Sequence, residues 1–416
     1  MVSESSLQSW QIEQQCPQCG APLVLEETDR VLSCEFCRVK LTISFPGHCR
    51  CYLPPARSRP DLLFIPYWRF KGMVFSSTEE GVRARIVDSN QLAVNSLNLP
   101  PSLGLRPQVM RLKFAAPKPE GRFIKPGAPV RVFSMKVDDT FQGASERISR
   151  GLYEAFIGET VSAIYTPVFV EGRTVLDAVL NRPLCAADVE DAPELDPDSS
   201  FDWPITFSST LCPHCGWDLE TERDGLVLLC RNCGSAWEHL RGELKRISFF
   251  LPLDSNPSAI HLPFWKLRTR FEGLQLDSFG DLVRLANMPK IARAGEADRD
   301  LHFLIPAFKI QPRVFLRLAK LLTSNSLDEG PSAEPGSLLL HPVTLPAAEA
   351  VESIKTILFA MVAPKRAFFP LLGRIRPRVE EYGLTYLPFV PKGHELVQPD
   401  LQTSINKNVL NWGRLI

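Results

Sequence analysis

At 416 residues the chain is longer than one ordinary core sustains, and 44% hydrophobic with 23% charged residues is the make-up of a folded globular protein. Lys+Arg and Asp+Glu both number 47. There is thus no overall basic excess of the kind that neutralises phosphates, which weighs against nucleic acid as a general partner.

The N-terminal stretch MVSESSLQSWQIEQQ has neither a basic region nor an apolar core, so no signal peptide is expected. The longest apolar runs, at 62–68 and 357–364, fall short of the roughly 20 residues that span a bilayer, so no transmembrane segment is expected. Eight of the eleven cysteines lie in Cys-x-x-Cys pairs, where metal binding accounts for them better than disulfides; a reducing, cytoplasmic location follows.

The first quartet is Cys16, Cys19, Cys34 and Cys37, with 14 residues between the pairs; Cys212, Cys215, Cys230 and Cys233 repeat it with the same spacing. Four thiolates presented by two tight turns give tetrahedral all-sulfur ligation, which suits Zn²⁺ because that ion imposes no geometry of its own. Two structural zinc ions are expected. In CPQCG and CPHCG the glycine relieves the bend after the second cysteine. Around the first quartet, APLVLEE and RVLSC read as strands joined by a turn at Thr28-Asp29, and RVKLTISF as a further strand. These motifs resemble the zinc ribbons of rubredoxin-like and transcription-factor proteins, over about 30 residues per copy. The resemblance implies a tandem zinc-ribbon protein, with iron as the rival metal.

Beyond the first ribbon, His48, Cys49 and Cys51 read as a further metal or redox site or as free thiols beside a proline-rich turn; free thiols are the expectation. LLFIPYWRFKGMVFSS (62–77) predicts a long strand, with Pro66 at an edge or bulge, and VRARIVDSNQLAVN another. SERISRGLYEAF (145–156) predicts a helix. VSAIYTPVFVEGRTVLDAVL predicts a hairpin turning at Glu171-Gly172. Residues 186–202 carry seven acids and no base, the composition of a solvated linker.

The second half replays the first. Pro66-Tyr67-Trp68-Arg69 aligns with Pro263-Phe264-Trp265-Lys266, LGLRPQV (103–109) with FKIQPRV (308–314), and IYTPVFVEGRTVLD with TYLPFVPKGHELVQ, where Lys392-Gly393 replaces Glu171-Gly172. Residues 324–337 have loop composition, and 347–362 predict the clearest helix. The predicted fold class is α+β, mainly β, and internally duplicated, each half a four-cysteine zinc ribbon followed by a β-rich module with one or two helices. The divisions are ribbon 1 (1–45), module 1 (46–185), an acidic linker (186–205), ribbon 2 (206–245) and module 2 (246–416).

Trp68, Arg69, Trp265 and Lys266 read as an aromatic groove for a partner, the tryptophans stacking and the cations anchoring; the competing and favoured reading packs the tryptophans between ribbon and module. In KRAFFPLLGRIRPR (365–378), Lys365, Arg366, Arg374, Arg376 and Arg378 interleave with Phe368 and Phe369, a pattern that can contact phosphates and bases, or simply balance Glu380 and Glu381. No catalytic motif stands out, and four cysteines close each metal site, which leaves no open position for a catalytic water. The reading is a non-enzymatic zinc-binding scaffold of a larger cytoplasmic assembly, docking protein partners. Nucleic-acid binding through 365–378 is the alternative.

Overall fold

The computed structural model describes residues 10–45, 47–94, 99–104, 110–115, 121–127, 153–186, 205–240, 242–253, 256, 258–288, 295, 297–325, 336 and 338–414. The acidic stretch, most of the loop at 324–337 and residues 105–109 of the LGLRPQV segment lie outside them. The described chain is mostly β, with five α-helices, and forms two units. One comprises Met1–Lys71, Asp88–Arg147 and Thr160–Ser209; the other comprises Gly72–Val87, Ile148–Glu159 and Thr210–Ile416.

In the first unit, β1 (Gln11–Gln15) and β2 (Pro22–Glu26) form one hairpin, and β3 (Val31–Ser33) and β4 (Lys40–Ser44) form a second. Asp29 closes the turn between the hairpins by accepting the Glu26 N–H at 2.8 Å on its carboxylate. The strands that follow are β5 (Cys49–Tyr52), β6 (Leu63–Thr78), β7 (Gly81–Leu92), β8 (Leu112–Phe114), β9 (Arg122–Phe123), β10 (Tyr153–Glu171), β11 (Thr174–Asp177) and β12 (Arg182–Ala186); β6 from Gly72, β7 up to Val87 and β10 up to Glu159 belong to the second unit. β13 (Thr206–Ser209) returns to pair with β4. β10 runs parallel to β5, with Ser162 opposite Cys49 and Ile164 opposite Cys51, and then turns through Gly172 (φ +61°) into β11. That hairpin is the one expected at Glu171-Gly172. β6 is paired in parallel with β9.

The helix expected over 145–156 does not form where the structure describes it. Tyr153–Phe156 belong to β10, and the remainder lies outside the described residues.

The second unit holds β14 (Val227–Cys230), β15 (Ser235–Leu240), β16 (Glu243–Phe250), β17 (Ile260–Glu272), β18 (His302–Pro306), β19 (Leu339–Leu340), β20 (Arg376–Lys392), β21 (Glu395–Gln398) and β22 (Thr403–Asn406). Its helices are α1 (Phe279–Leu285), α2 (Pro312–Ser324), α3 (Ala347–Met361), α4 (Lys365–Phe368) and α5 (Lys407–Gly413). The helix expected at 347–362 is α3. β20 runs parallel to β16, with Ser248 opposite Gly383, pairs antiparallel with β17, and turns through Gly393 (φ +60°) into β21. β17 is paired in parallel with β19. Gly383 is forced by this packing: a Cβ there would lie 2.5 Å from the Ser248 hydroxyl.

The core of the second unit includes residues from the first half of the sequence. Met73, Phe75, Ala155 and Ile157 are buried in it, and the Phe75 ring lies 5.8 Å from that of Phe315 on α2. The Gly158 N–H donates to the Glu349 carboxylate on α3.

Pro263 and Pro66 lie where their strands change neighbours. β17 pairs with β19 up to His261 and with β18 from Phe264 onward; Pro263 lies at the changeover, and its carbonyl accepts the Ala307 N–H at 3.0 Å. Pro66 in β6 lies likewise between the pairing of Phe64 with β9 and the Ala93 N–H that its own carbonyl accepts at 3.0 Å. A missing N–H is tolerated where a strand changes neighbours, because no ladder bond is due there.

Candidate metal centres

Each quartet is built by two knuckles at hairpin ends. In the first, the Cys16 N–H donates to the Ala21 carbonyl at 2.8 Å and the Gly20 N–H to the Cys16 carbonyl at 2.8 Å; Cys34 repeats both bonds with Val39 and Arg38. In the second unit the Gly216 N–H donates to Cys212 and the Gly234 N–H to Cys230. The residue after each second cysteine takes a left-handed φ: Gly20 +74°, Arg38 +62°, Gly216 +74° and Gly234 +62°. Three of the four are glycine, the residue without a Cβ penalty there. Arg38 is the exception.

The Sγ atoms of Cys16 and Cys37 are 3.7 Å apart, as are those of Cys19 and Cys34. In the second quartet Cys212–Cys233 is 3.7 Å and Cys215–Cys230 is 3.5 Å. Within each quartet all four sulfurs lie within 4.8 Å of one another. A tetrahedral shell of four sulfurs with metal–sulfur bonds of about 2.3 Å has edges of about 3.8 Å, so both quartets fit a closed four-thiolate ion such as Zn²⁺. In each, a buried thiol from one knuckle faces an exposed or half-buried one from the other.

Burial and hydrogen bonds shift the thiols of each quartet in opposite directions, Cys37 and Cys230 up and Cys34 and Cys212 down. The Cys37 N–H, foremost, brings the Cys34 thiol down to about 7. Burial opposes ionisation of Cys212, but the Ser235 hydroxyl and the N–H groups of Cys215 and His214 bring it down to about 6. Ser235 is a residue the Cys-x-x-Cys pattern does not reveal: its hydroxyl lies 3.0 Å from Cys233 Sγ and 3.5 Å from Cys212 Sγ, and accepts the Trp237 indole N–H at 2.8 Å. Asn232 donates to Cys215 Sγ at 3.5 Å. Such outer partners orient ligands and tune the metal.

Cys49 and Cys51 belong to neither quartet. They share one face of β5, both buried, with sulfurs 3.6 Å apart, and the neighbouring Cys49 together with burial holds the Cys51 thiol well above the ordinary value. Enclosed thiols with no disulfide between them match the free-thiol reading. The His48 ring packs edge-on against Trp68 at 5.1 Å.

The Pro-aromatic-Trp-basic elements form no exposed groove. Trp68, Arg69 and Trp265 are buried, Trp265 completely, and Lys266 is half-buried. The Trp265 indole N–H donates to the Leu345 carbonyl at 2.8 Å, while Arg69 pairs with Glu27 and Asp88 and stacks over Trp10 at 3.7 Å. An indole sealed by backbone and core cannot stack a ligand, which removes Trp68 and Trp265 as surface contacts.

The basic segment 365–378 is also partly committed within the fold. Lys365 Nζ donates to the carbonyls of Phe359, Ala360 and Val362, closing the C-terminal end of α3. Phe368 is buried and Phe369 half-buried, so Phe368 offers no face to a base. Arg366 is exposed and 3.9 Å from Glu79; Arg374, Arg376 and Arg378 are exposed, the last two on β20 opposite Glu272 and Arg270. No helix among the described residues is long and apolar enough to cross a membrane.

No family model, curated protein or solved structure matches the chain.

Proposed function

We propose that the protein is a non-enzymatic scaffold with two structural Zn²⁺ ions, each fastening a ribbon to a β-rich module. The carrying observation is the closed geometry of both quartets: four thiols at tetrahedral spacing leave no position for a reacting water. Zinc bound there would supply a cross-link between two short hairpins, and ribbons of this size bury too little surface to fold without one.

Duplication of one design is part of this reading. Support comes from the shared Pro-aromatic-Trp-basic sequence and from matched strand pairings. In each unit a central strand runs parallel to the strand that leaves the ribbon (β10 on β5, β20 on β16), and then turns through a left-handed glycine into a meander. Docking through the ribbon tips is supported by Phe36 in the second knuckle of one ribbon, 71% exposed, and Trp217 after the first knuckle of the other, 60% exposed. Exposed aromatics are favoured anchors of protein interfaces.

Native mass spectrometry with metal analysis, on protein purified gently from its own host, tests the reading. Two zinc ions and a protein partner that is lost from Phe36→Ser or Trp217→Ser support it. Iron or fewer than two metals would overturn the structural-metal reading, and co-purifying nucleic acid displaced by salt would replace the scaffold with the 365–378 alternative.

A further inference from the structure

The second unit contains a cavity of about 520 Å³, a volume in the range of small-ligand sites. Val227 and Leu229 of β14 and Arg231 of the second knuckle line it, so the ribbon itself contributes to it. Leu338, Leu340, and Leu410 and Asn411 of α5 also line it. The Leu226 N–H donates to the Val343 carbonyl at 2.8 Å, tying the β14 wall to the chain beyond β19.

The charged groups of the rim are paired with one another or with backbone. Arg231 is spent on Glu220 at 2.7 Å and on the Gly336 carbonyl; Arg414 is spent on Asp224 at 2.9 Å and on Glu222. Among the lining residues Glu220 and Glu222 balance Arg231 and Arg414, and neither guanidinium is available to an incoming anion.

Two polar side chains in the lining have capacity to spare. Tyr386 is 2% exposed, and its hydroxyl has no hydrogen bond among the described residues. His341 Nδ1 lies 3.0 Å from the Pro342 carbonyl, which can only accept; the ring proton therefore sits on Nδ1, and Nε2 remains an acceptor. Burial, foremost, holds this imidazole below its ordinary pKa and so in the neutral form. The Tyr386 hydroxyl lies in the lining, where it can give or accept a hydrogen bond.

We propose that this cavity binds a small heteroaromatic amine or a neutral relative of one: an apolar ring body, at most one positive charge, an N–H given to His341 Nε2 and a hydrogen bond made with the Tyr386 hydroxyl. Anions of the same size are disfavoured by the rim. The inference does not depend on the scaffold reading, because it uses the interior of one unit and no partner surface.

The test is saturation-transfer NMR and titration on the intact, metal-loaded chain with tryptamine, indole and indole-3-acetate as probes. Tryptamine and indole should bind, and indole-3-acetate about tenfold or more weakly than tryptamine. Tyr386→Phe, which removes a single oxygen, should weaken tryptamine about 2- to 10-fold with metal content and near-UV circular dichroism unchanged. His341→Phe should do the same for indole. Three results would overturn the proposal: no binding of any of these probes, equal binding of indole-3-acetate and tryptamine, or wild-type affinity in both variants.

Discussion

The Arg69 guanidinium and the Glu27 carboxylate form an ion pair in which neither side chain keeps more than 3% of its surface. Glu27 comes from the turn after the first knuckle hairpin and Arg69 from β6, so the pair bolts the ribbon to its module. The Ser162 hydroxyl adds a hydrogen bond to Glu27 at 2.8 Å, and Trp10 covers the guanidinium. Burial alone would raise the Glu27 pKa, but Arg69, then Lys71 and Ser162, reverse the sign and hold it below the ordinary glutamate value.

Glu27→Ala leaves a buried guanidinium without its main partner and should cost about 3–5 kcal/mol in urea unfolding. Because the folded pKa is depressed, the contribution is complete above the ordinary glutamate pKa of about 4.3 and is lost as pH falls through the folded value. The stability gap between wild type and Glu27→Gln should therefore narrow on acidification below that point. A gap that is constant or widens there would contradict the pairing.

Cys212→Ser should release one equivalent of metal and unfold the second ribbon, while the first quartet keeps its ion. Cys185→Ser, on β12 and outside both quartets, should retain two equivalents. Inductively coupled plasma mass spectrometry of the two purified variants decides the matter.

Arg38 holds the left-handed position that glycine takes in the other three knuckles, and its side chain is exposed. A non-glycine residue there costs roughly 1–2 kcal/mol, offset in part by the greater chain entropy of glycine. Arg38→Gly should raise the stability of the first ribbon by up to about 1 kcal/mol, read as slower loss of metal to a chelator. Faster loss would show that the arginine side chain contributes more than its backbone costs.

Lys365→Met removes three hydrogen bonds to the end of α3 while keeping the alkyl stem. It should destabilise the second unit by about 1 kcal/mol in thermal unfolding, because charge near a helix C-terminus and capping of its carbonyls are each worth about that much. An unchanged midpoint, joined to a loss of nucleic-acid retention, would make this lysine a phosphate contact instead of a cap.

The metal ligands were legible because a knuckle is a local object, with ligand spacing, turn and glycine all within a few residues. The hairpins at Gly172 and Gly393 and helix α3 were legible for the same reason. α2 was harder to see, although Phe315, Leu318, Ala319 and Leu322 have helical spacing, because the segment that opens it also matches residues 103–109. The capping box of α1, Ser278 with Asp281, is a readable signal of the same local kind, one that an alignment of strands between the halves passes over. Other features are not local at all. Nothing in a run of alternating residues announces that Arg69 will meet Glu27, 42 positions away. Burial of the two tryptophans was the favoured reading, but nothing in the run names the Leu345 carbonyl as the acceptor of the Trp265 indole N–H.

The placement of Met73, Phe75, Ala155 and Ile157 in the second core bears on how this polypeptide can be divided. A boundary at the acidic stretch looks natural on paper, yet a fragment starting there would leave Phe315 without Phe75 and Glu349 without the Gly158 amide. On the ribosome, those strands emerge long before the core that receives them and must wait for it. A second half cut at the acidic stretch should therefore expose the side chains that these strands cover.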